Sequence, residues 1–404
     1  MKNEIFSSKR ALAFTSLAHF ANDGNFLLFS ILIVYFSKIP GVDLTFLGIN
    51  AILYNILYGV ISLPVGKLAD KLNNDKFLLF AGIALEGTAA SLFGFGFLYP
   101  NNYLIFVILG SVFLGSGQAF YHPLGASVLS FSYKKKKLGT VLGINGGFGS
   151  LGRAIIPSVI TFLILLFGTF SGLEILSVYT WILAIIIYFG LVGFKRPYVN
   201  NITPTRKKSR PKTLMRTLER VTLPVFLKGA FLMGTVTFVA KYIDQITGSA
   251  ELAGIILTIS FVPAIFGQPF FGYLTSRKGG RYIISITSIL SLFFFIGFLL
   301  TKNIIIVTLT YAVLAFLLFN GFSVLLDYAY QLVPKKYYST SYSFVWGLGN
   351  ILGGAFGIGL MTLFLTFMTI TDSMYYMAIV LLISILFLPM LPKSLKNKVA
   401  DQHI

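Results

Sequence analysis

The chain has 404 residues, of which 56% are hydrophobic and 11% charged, with 32 Lys and Arg against 13 Asp and Glu. Soluble domains carry about 25% charged residues, and single soluble cores stop growing near about 250–300 residues, so a soluble globule could not hide this much apolar surface. Cysteine is absent, which excludes disulfide scaffolds and thiolate metal centres.

The apolar runs are continuous and about 20 residues or longer, the pattern of membrane-spanning helices. The strands of an outer-membrane barrel would instead alternate over about ten residues. In chain order, spans are predicted at 11–36, 44–65, 77–98, 104–131, 138–167, 173–194, 222–243, 251–271, 282–301, 304–332, 338–368 and 373–391. The first run is too long for a signal-peptide core and has no cleavage site, so it reads as span one.

If both termini are cytoplasmic, 27 of the 32 basic residues fall on inside segments and only Lys38 and Lys302 on outside loops. Arg153, Lys228 and Lys241 lie within spans. The asymmetry follows the positive-inside rule and predicts a multi-pass inner-membrane protein with cytoplasmic termini. The net charge of +19 then serves topology and attraction to anionic lipid, with no nucleic-acid partner.

The polar stretch Lys195 to Arg220 divides the chain into six-span bundles at 1–194 and 222–404, joined by a cytoplasmic basic linker at 195–221. The linker is either solvated or partly helical on the anionic leaflet. The halves look related. Gly66-x-Leu68-x-Asp70-Lys71 after span two has a counterpart in Gly272-x-Leu274-x-Ser276-Arg277 after span eight, and Gly147 and Gly149 fall on Gly347 and Gly349. The expected fold is all-α, with twelve transmembrane helices in two pseudo-symmetric six-helix bundles around a midplane site.

Span one carries Ser16-Leu17-Ala18-His19-Phe20-Ala21-Asn22-Asp23. His19 and Asp23, four apart, share a helix face, and at mid-span they need a cavity or a partner. They can carry a proton, stitch helices together, or touch substrate, as Asn22 can. The loop after span two, Gly66 to Lys71, can act as a latch between the halves, with Gly66 allowing close approach and Asp70 accepting from helix N-termini. It can equally be a tight turn with snorkelling lysines. Its copy has Ser276 in place of the acid, so Gly272 and Arg277 form the weaker latch.

Span four holds Gly115-Ser116-Gly117-Gln118-Ala119-Phe120-Tyr121-His122-Pro123. Pro123 frees a carbonyl and can kink the helix, with Gln118 and His122 candidates for the cavity wall. Span five is glycine-rich from Gly143 to Gly152, includes Asn145, and ends its motif on Arg153. A buried guanidinium keeps its proton, so Arg153 must pair with a carboxylate or await an anion. Asp23 is the first partner offered and Glu86 the second. Trp346-Gly347-Leu348-Gly349-Asn350 begins span eleven without an arginine, and Trp346 and Asn350 are candidate substrate contacts. Lys228 either lines the cavity or snorkels inward, and Lys241 with Asp244 reads as a surface pair or outer gate.

The Gly66–Lys71 loop resembles the signature loop of the major facilitator superfamily, in which acid and base brace the outward-open state. The Ser-Leu-x-His-x-x-Asn-Asp stretch at 16–23 and the Gly-x-Gly-x-x-x-x-His-Pro stretch at 115–123 resemble the fosmidomycin-resistance-type efflux proteins of that superfamily. So do the glycine-rich span five and Tyr328 to Pro334. The resemblance implies export of drugs or metabolites driven by proton entry. Leu124 and Arg153 stand where family members commonly have Glu and Pro, which pushes the expected substrate toward an anion.

The resulting expectation is an alternating-access antiporter, with Asp23, His19 and Arg153 coupling protons and protonation of Asp23 loosening its pairing with Arg153. Substrate would meet Asn22, His122, Gln118, Asn145, Arg153, Trp346 and Asn350, while Gly66, Asp70, Lys71, Gly272, Arg277 and Pro123 gate. The partners are a small molecule, protons and the bilayer, for a monomer without cofactor or metal. Uptake of a sugar, carboxylate or phosphorylated metabolite by proton symport is the alternative, and a membrane-embedded transferase a distant one. No P-loop supports ATP-driven transport.

Overall fold

The computed structural model describes residues 7–196, 212–333 and 341–393 apart from 342, and the regular structure among them is helical. Among the described residues, twelve helices are long and apolar enough to cross a membrane. They are α1 (Ser8–Phe36), α2 (Leu44–Gly66), α3 (Asp75–Leu98), α4 (Pro100–Ser132), α5 (Lys137–Phe167) and α6 (Thr169–Gly190) in the first half. The second half has α7 (Lys212–Thr247), α8 (Ala250–Lys278), α9 (Gly280–Leu299), α10 (Ile304–Leu325), α11 (Phe344–Leu365) and α12 (Ile370–Met390). Outward-facing Phe293 and Leu166 are 71% and 70% exposed, an apolar belt that lipid would cover. Helix α7 starts within the stretch expected to be linker, burying Leu214 and Leu218 while Lys212, Arg216 and Arg220 stay exposed. The rest of that linker, 197–211, lies outside the described residues.

The halves meet where α2 packs on α11 and α5 on α8, with α1 against α7. The first two pairings are copies of one another under the repeat. A Cβ on Gly149 would strike the His19 ring of α1, and one on Gly349 would come 2.9 Å from Val225 of α7. The internal repeat therefore reproduces the packing of α5 on α1 in that of α11 on α7.

With twelve spans, both ends of the chain lie on one side of the bundle. On the opposite side the halves are bolted together. Ser158 Oγ donates to Thr258 Oγ1 at 2.8 Å and Ser30 Oγ to the Val236 carbonyl at 2.9 Å. Lys38 Nζ reaches Asp244 at 3.2 Å. On the side of the termini, no hydrogen bond or ion pair joins the halves among the described residues.

Two irregular segments interrupt spans at mid-depth, and a third opens α11. Asn25–Leu27 of α1 is a 3-10 turn, Phe319 and Asn320 break α10, and Ser343–Leu352 at the start of α11 is a π-helix. Neither break contains a proline. Pro123, expected to hinge α4, sits in a helix that runs unbroken from Tyr103 to Ser132. The carbonyl it frees, on Ala119 one turn earlier, accepts from Ser62 Oγ of α2 at 3.3 Å. A neighbouring hydroxyl, shared with the Tyr58 carbonyl at 2.6 Å, thus reaches the group that the proline leaves unpaired.

Candidate functional site

A cavity lies between the halves, lined by α1, α2, α4 and α5 on one wall and α7–α11 on the other. Its lining includes Ala126, Leu142, Val225, Ile284 and Leu325, all on the termini side of mid-span, so it opens toward that side. Asn22, Gln118, His122, Asn145, Arg153, Trp346 and Asn350, the seven candidate substrate residues, all line it together with His19 and Asp23.

Asp23 is the hub. Its side chain is 4% exposed and is surrounded by four polar neighbours. Arg153 Nη1 grips Oδ2, His19 Nε2 stands 3.2 Å from the same oxygen, and His122 Nε2 is 3.6 Å from Oδ1. Asn22 Nδ2 donates to Oδ1 at 3.0 Å. Of the two acids offered to Arg153, the structure uses Asp23, while fully buried Glu86 accepts from Asn25 Nδ2 at 2.9 Å. The guanidinium also donates to Ser150 Oγ at 3.0 Å and sits 5.5 Å above the Phe319 ring, at the break in α10.

The spacing of α5 builds this hub. Asn145, Gly149 and Arg153 recur every four residues, forming a stripe along one helix face that meets His19 and Asp23 of α1. Asn145 Oδ1 stands 3.0 Å from His19 Nδ1 and accepts from the Tyr121 hydroxyl at 2.8 Å. Gly149 makes the meeting possible, because a Cβ there would overlap the His19 ring and lie 2.7 Å from Asp23 Oδ2. Gly152 stands where a Cβ would overlap the Phe20 carbonyl. Gly143 and Gly147 of the same run meet nothing within 4 Å, so they play no part in the close packing.

One nitrogen or oxygen each from His19, Asp23 and His122 lie within 4.8 Å of one another, a spacing a metal ion can use. Arg153 is already bound to Asp23, so a dication would have to displace a guanidinium.

Lys228 does not snorkel. Its Nζ turns onto Thr287 Oγ1 of α9 at 3.1 Å and lines the cavity. Among the described residues, no carboxylate reaches it.

The gating residues are less engaged. A Cβ on Gly66 would meet nothing within 4 Å, so the close backbone approach expected there is not made with the cavity open on that side. Lys71 is exposed, and the side chain of Asp70 lies outside the described residues. Gly272 faces Ser323 with room for a Cβ at 3.4 Å, and Arg277 folds over Tyr273 at 4.6 Å. Ser276 donates to Asp327 Oδ2 at 3.1 Å, so the helical continuation of α10, which runs on to Leu332, supplies the carboxylate that the second loop lacks. Lys335 and Lys336, eight and nine residues after Asp327, lie outside the described residues.

Several contributors were not legible beforehand. Tyr121 stacks on His19 with centroids 4.4 Å apart, and its place inside the motif was the available signal. Phe319 and Lys38 carried none, being one phenylalanine among 41 and one of two outside lysines.

The sequence profile of the Major Facilitator Superfamily matches residues 15–357. The chain belongs to this superfamily. Among solved structures, the fold of this superfamily member is similar to a bacterial homolog of the human lysosomal transporter Spinster in an inward-facing, unoccupied conformation. That likeness has a TM-score of 0.73 at 15% identity and covers 94% of this chain and 96% of that one. It is also similar to the peptide transporter POT in complex with sulfate, with a TM-score of 0.71 at 16% identity over 95% and 93% of the two chains. No curated protein sequence matches the chain significantly. The chain is a multi-pass membrane transporter and not an enzyme, which sets the transferase alternative aside.

Proposed function

We propose that this transporter is a proton-coupled antiporter exporting drugs or small metabolites across the inner membrane, as a monomer with cytoplasmic termini. The reading is carried by one observation: a buried acid, Asp23, lines the cavity between the halves and is shared by Arg153, His19 and His122. Intramembrane ionisable groups facing a cavity mark ion and substrate paths. The stretches at 16–23 and 115–123 that resemble fosmidomycin-resistance-type exporters support export.

In this scheme the two halves rock about the cavity. With the cavity facing the cytoplasm, substrate donors hydrogen-bond the Asp23 carboxylate and its amide neighbours Asn22, Gln118 and Asn145. Once the cavity faces outward, a proton arriving through His122 or His19 takes the same oxygen and loosens the Arg153 contact. Substrate and proton then alternate on one carboxylate, which is the logic of exchange. A second reading, proton symport of an anion, is favoured by the fact that protonating Asp23 would release Arg153 to take a negative group. Proteoliposomes with an imposed proton gradient separate the two by the direction of substrate movement. An Asp23→Asn variant that still moves substrate against its gradient would refute coupling through this residue.

A further inference from the structure

We infer that Lys228 is an anchor for an acidic group, and that the transported substrate is an amphiphilic monoanion. The inference rests on reading the cavity as the transport path, but not on proton coupling or direction.

The cavity wall carries two basic side chains, Arg153 and Lys228, against one carboxylate, Asp23. Arg153 is already paired with that carboxylate. Lys228 is the unbalanced charge. It sits on the opposite half, and among the described residues the protein meets it with only a hydroxyl, from Thr287, which is 1% exposed. An ammonium has three donors, so two remain for a ligand. A lysine at this depth normally reaches for the interface or an acid. Lys228 does neither, turning instead across to α9.

The surroundings say what else the ligand carries. Near Lys228, the second half contributes Val225, Leu232, Met233, Ile284, Val324 and Leu325 to the cavity. An acid alone would leave this apolar surface uncovered, whereas an acid on an apolar body fills both. One negative charge also brings the paired ions and Lys228 to neutrality, so a monoanion fits better than a dianion.

Two tryptophans, Trp181 and Trp346, are the only ones in the chain, and Trp346 lines the cavity. In a Trp181→Phe background reconstituted in nanodiscs, Trp346 fluorescence therefore reports cavity binding at equilibrium, with no gradient present. The probes are 4-phenylbutyrate and its neutral twin 4-phenylbutyramide. The acid is expected to quench saturably and at least about tenfold more tightly than the amide. Lys228→Gln should bring the acid down to the affinity of the amide in the same variant, and Lys228→Arg should keep the preference. Thr287→Val, which retains the ammonium, should also keep it and serves if Lys228→Gln fails to fold. Absence of saturable binding by the acid, equal affinity for the twins, equal weakening of both by Lys228→Gln, or an acid preference surviving Lys228→Gln would each overturn the proposal. If Asp23→Asn were still driven by a proton gradient, coupling would fail while the acid preference of Lys228 stood.

Discussion

Replacing Asp23 by Asn keeps the shape of the side chain and removes the charge that holds the hub together. The Asp23 and Arg153 side chains are 4% and 9% exposed, so the orphaned guanidinium would stay largely out of water, with Ser150 as its remaining hydrogen-bond partner. Removing one member of a buried ion pair costs about 3–5 kcal/mol. Because the pair borders an open cavity, the lower end applies, about 3 kcal/mol, or roughly a hundredfold in the unfolding equilibrium. Arg153→Gln alone should cost a similar amount, because it leaves the carboxylate with only imidazole and amide donors. The double variant Asp23→Asn with Arg153→Gln buries no charge at the hub and should lose far less than the sum, giving a coupling of about 2–3 kcal/mol. Reversible unfolding in mixed detergent micelles, followed by tryptophan fluorescence, measures all four corners of the cycle. Single variants as stable as the parent, or losses additive to within about 0.5 kcal/mol, would refute the claim that the two groups are one electrostatic unit.

Gly152→Ala should destabilise by about 1–3 kcal/mol, because its Cβ would press on the Phe20 backbone, which cannot swing aside. Gly143→Ala, with nothing within 4 Å, should be neutral or stabilising by up to about 1 kcal/mol, and thermal melts of the two compare them directly. Lys38→Met removes an inter-half ion pair whose lysine is 50% exposed, a contact worth under about 1 kcal/mol. It should raise labelling of a Leu232→Cys reporter from the side away from the termini by a few-fold, which the natural absence of cysteine makes readable. Glu86→Gln should leave gradient-driven transport within about twofold of the parent, since Glu86 lies outside the cavity lining; a loss as deep as that of Asp23→Asn would place Glu86 in the proton path.

The twelve spans and the repeat were legible because lipid leaves a backbone few choices: long apolar runs must be helices, and related halves repeat their glycines. The hub was legible in part, since His19 and Asp23 share a helix face and Arg153 needed an acid. What could not be read is what tertiary partners decide. Pro123 does not break α4, where Ser62 of α2 reaches the freed carbonyl. The breaks in α1 and α10 fall where no proline marks them, and they meet each other through Phe26 and Phe319, with ring centroids 6.2 Å apart. Lys228 could not be assigned to cavity or interface until Thr287 was seen beside it. The Lys38–Asp244 contact joins residues 206 positions apart, beyond the reach of any local pattern.

The glycine seam between α1 and α5 has a bearing on motion. At Gly152 the two helices touch backbone to backbone, and at Gly24 and Gly149 the Ile156 and His19 side chains of the facing helix fill the space a Cβ would need, so neither helix can slide or roll freely past the other. They must travel as a single beam, carrying acid, imidazole and guanidinium in fixed relation. Flexing is left to segments beyond this seam, at the 3-10 turn Asn25–Leu27 past its end and on the opposite wall, where α10 is broken at Phe319 and α11 opens as a π-helix. The first half then acts as a stiff template that keeps its charges in register through every cycle, and the second half as the compliant jaw that closes on the cargo.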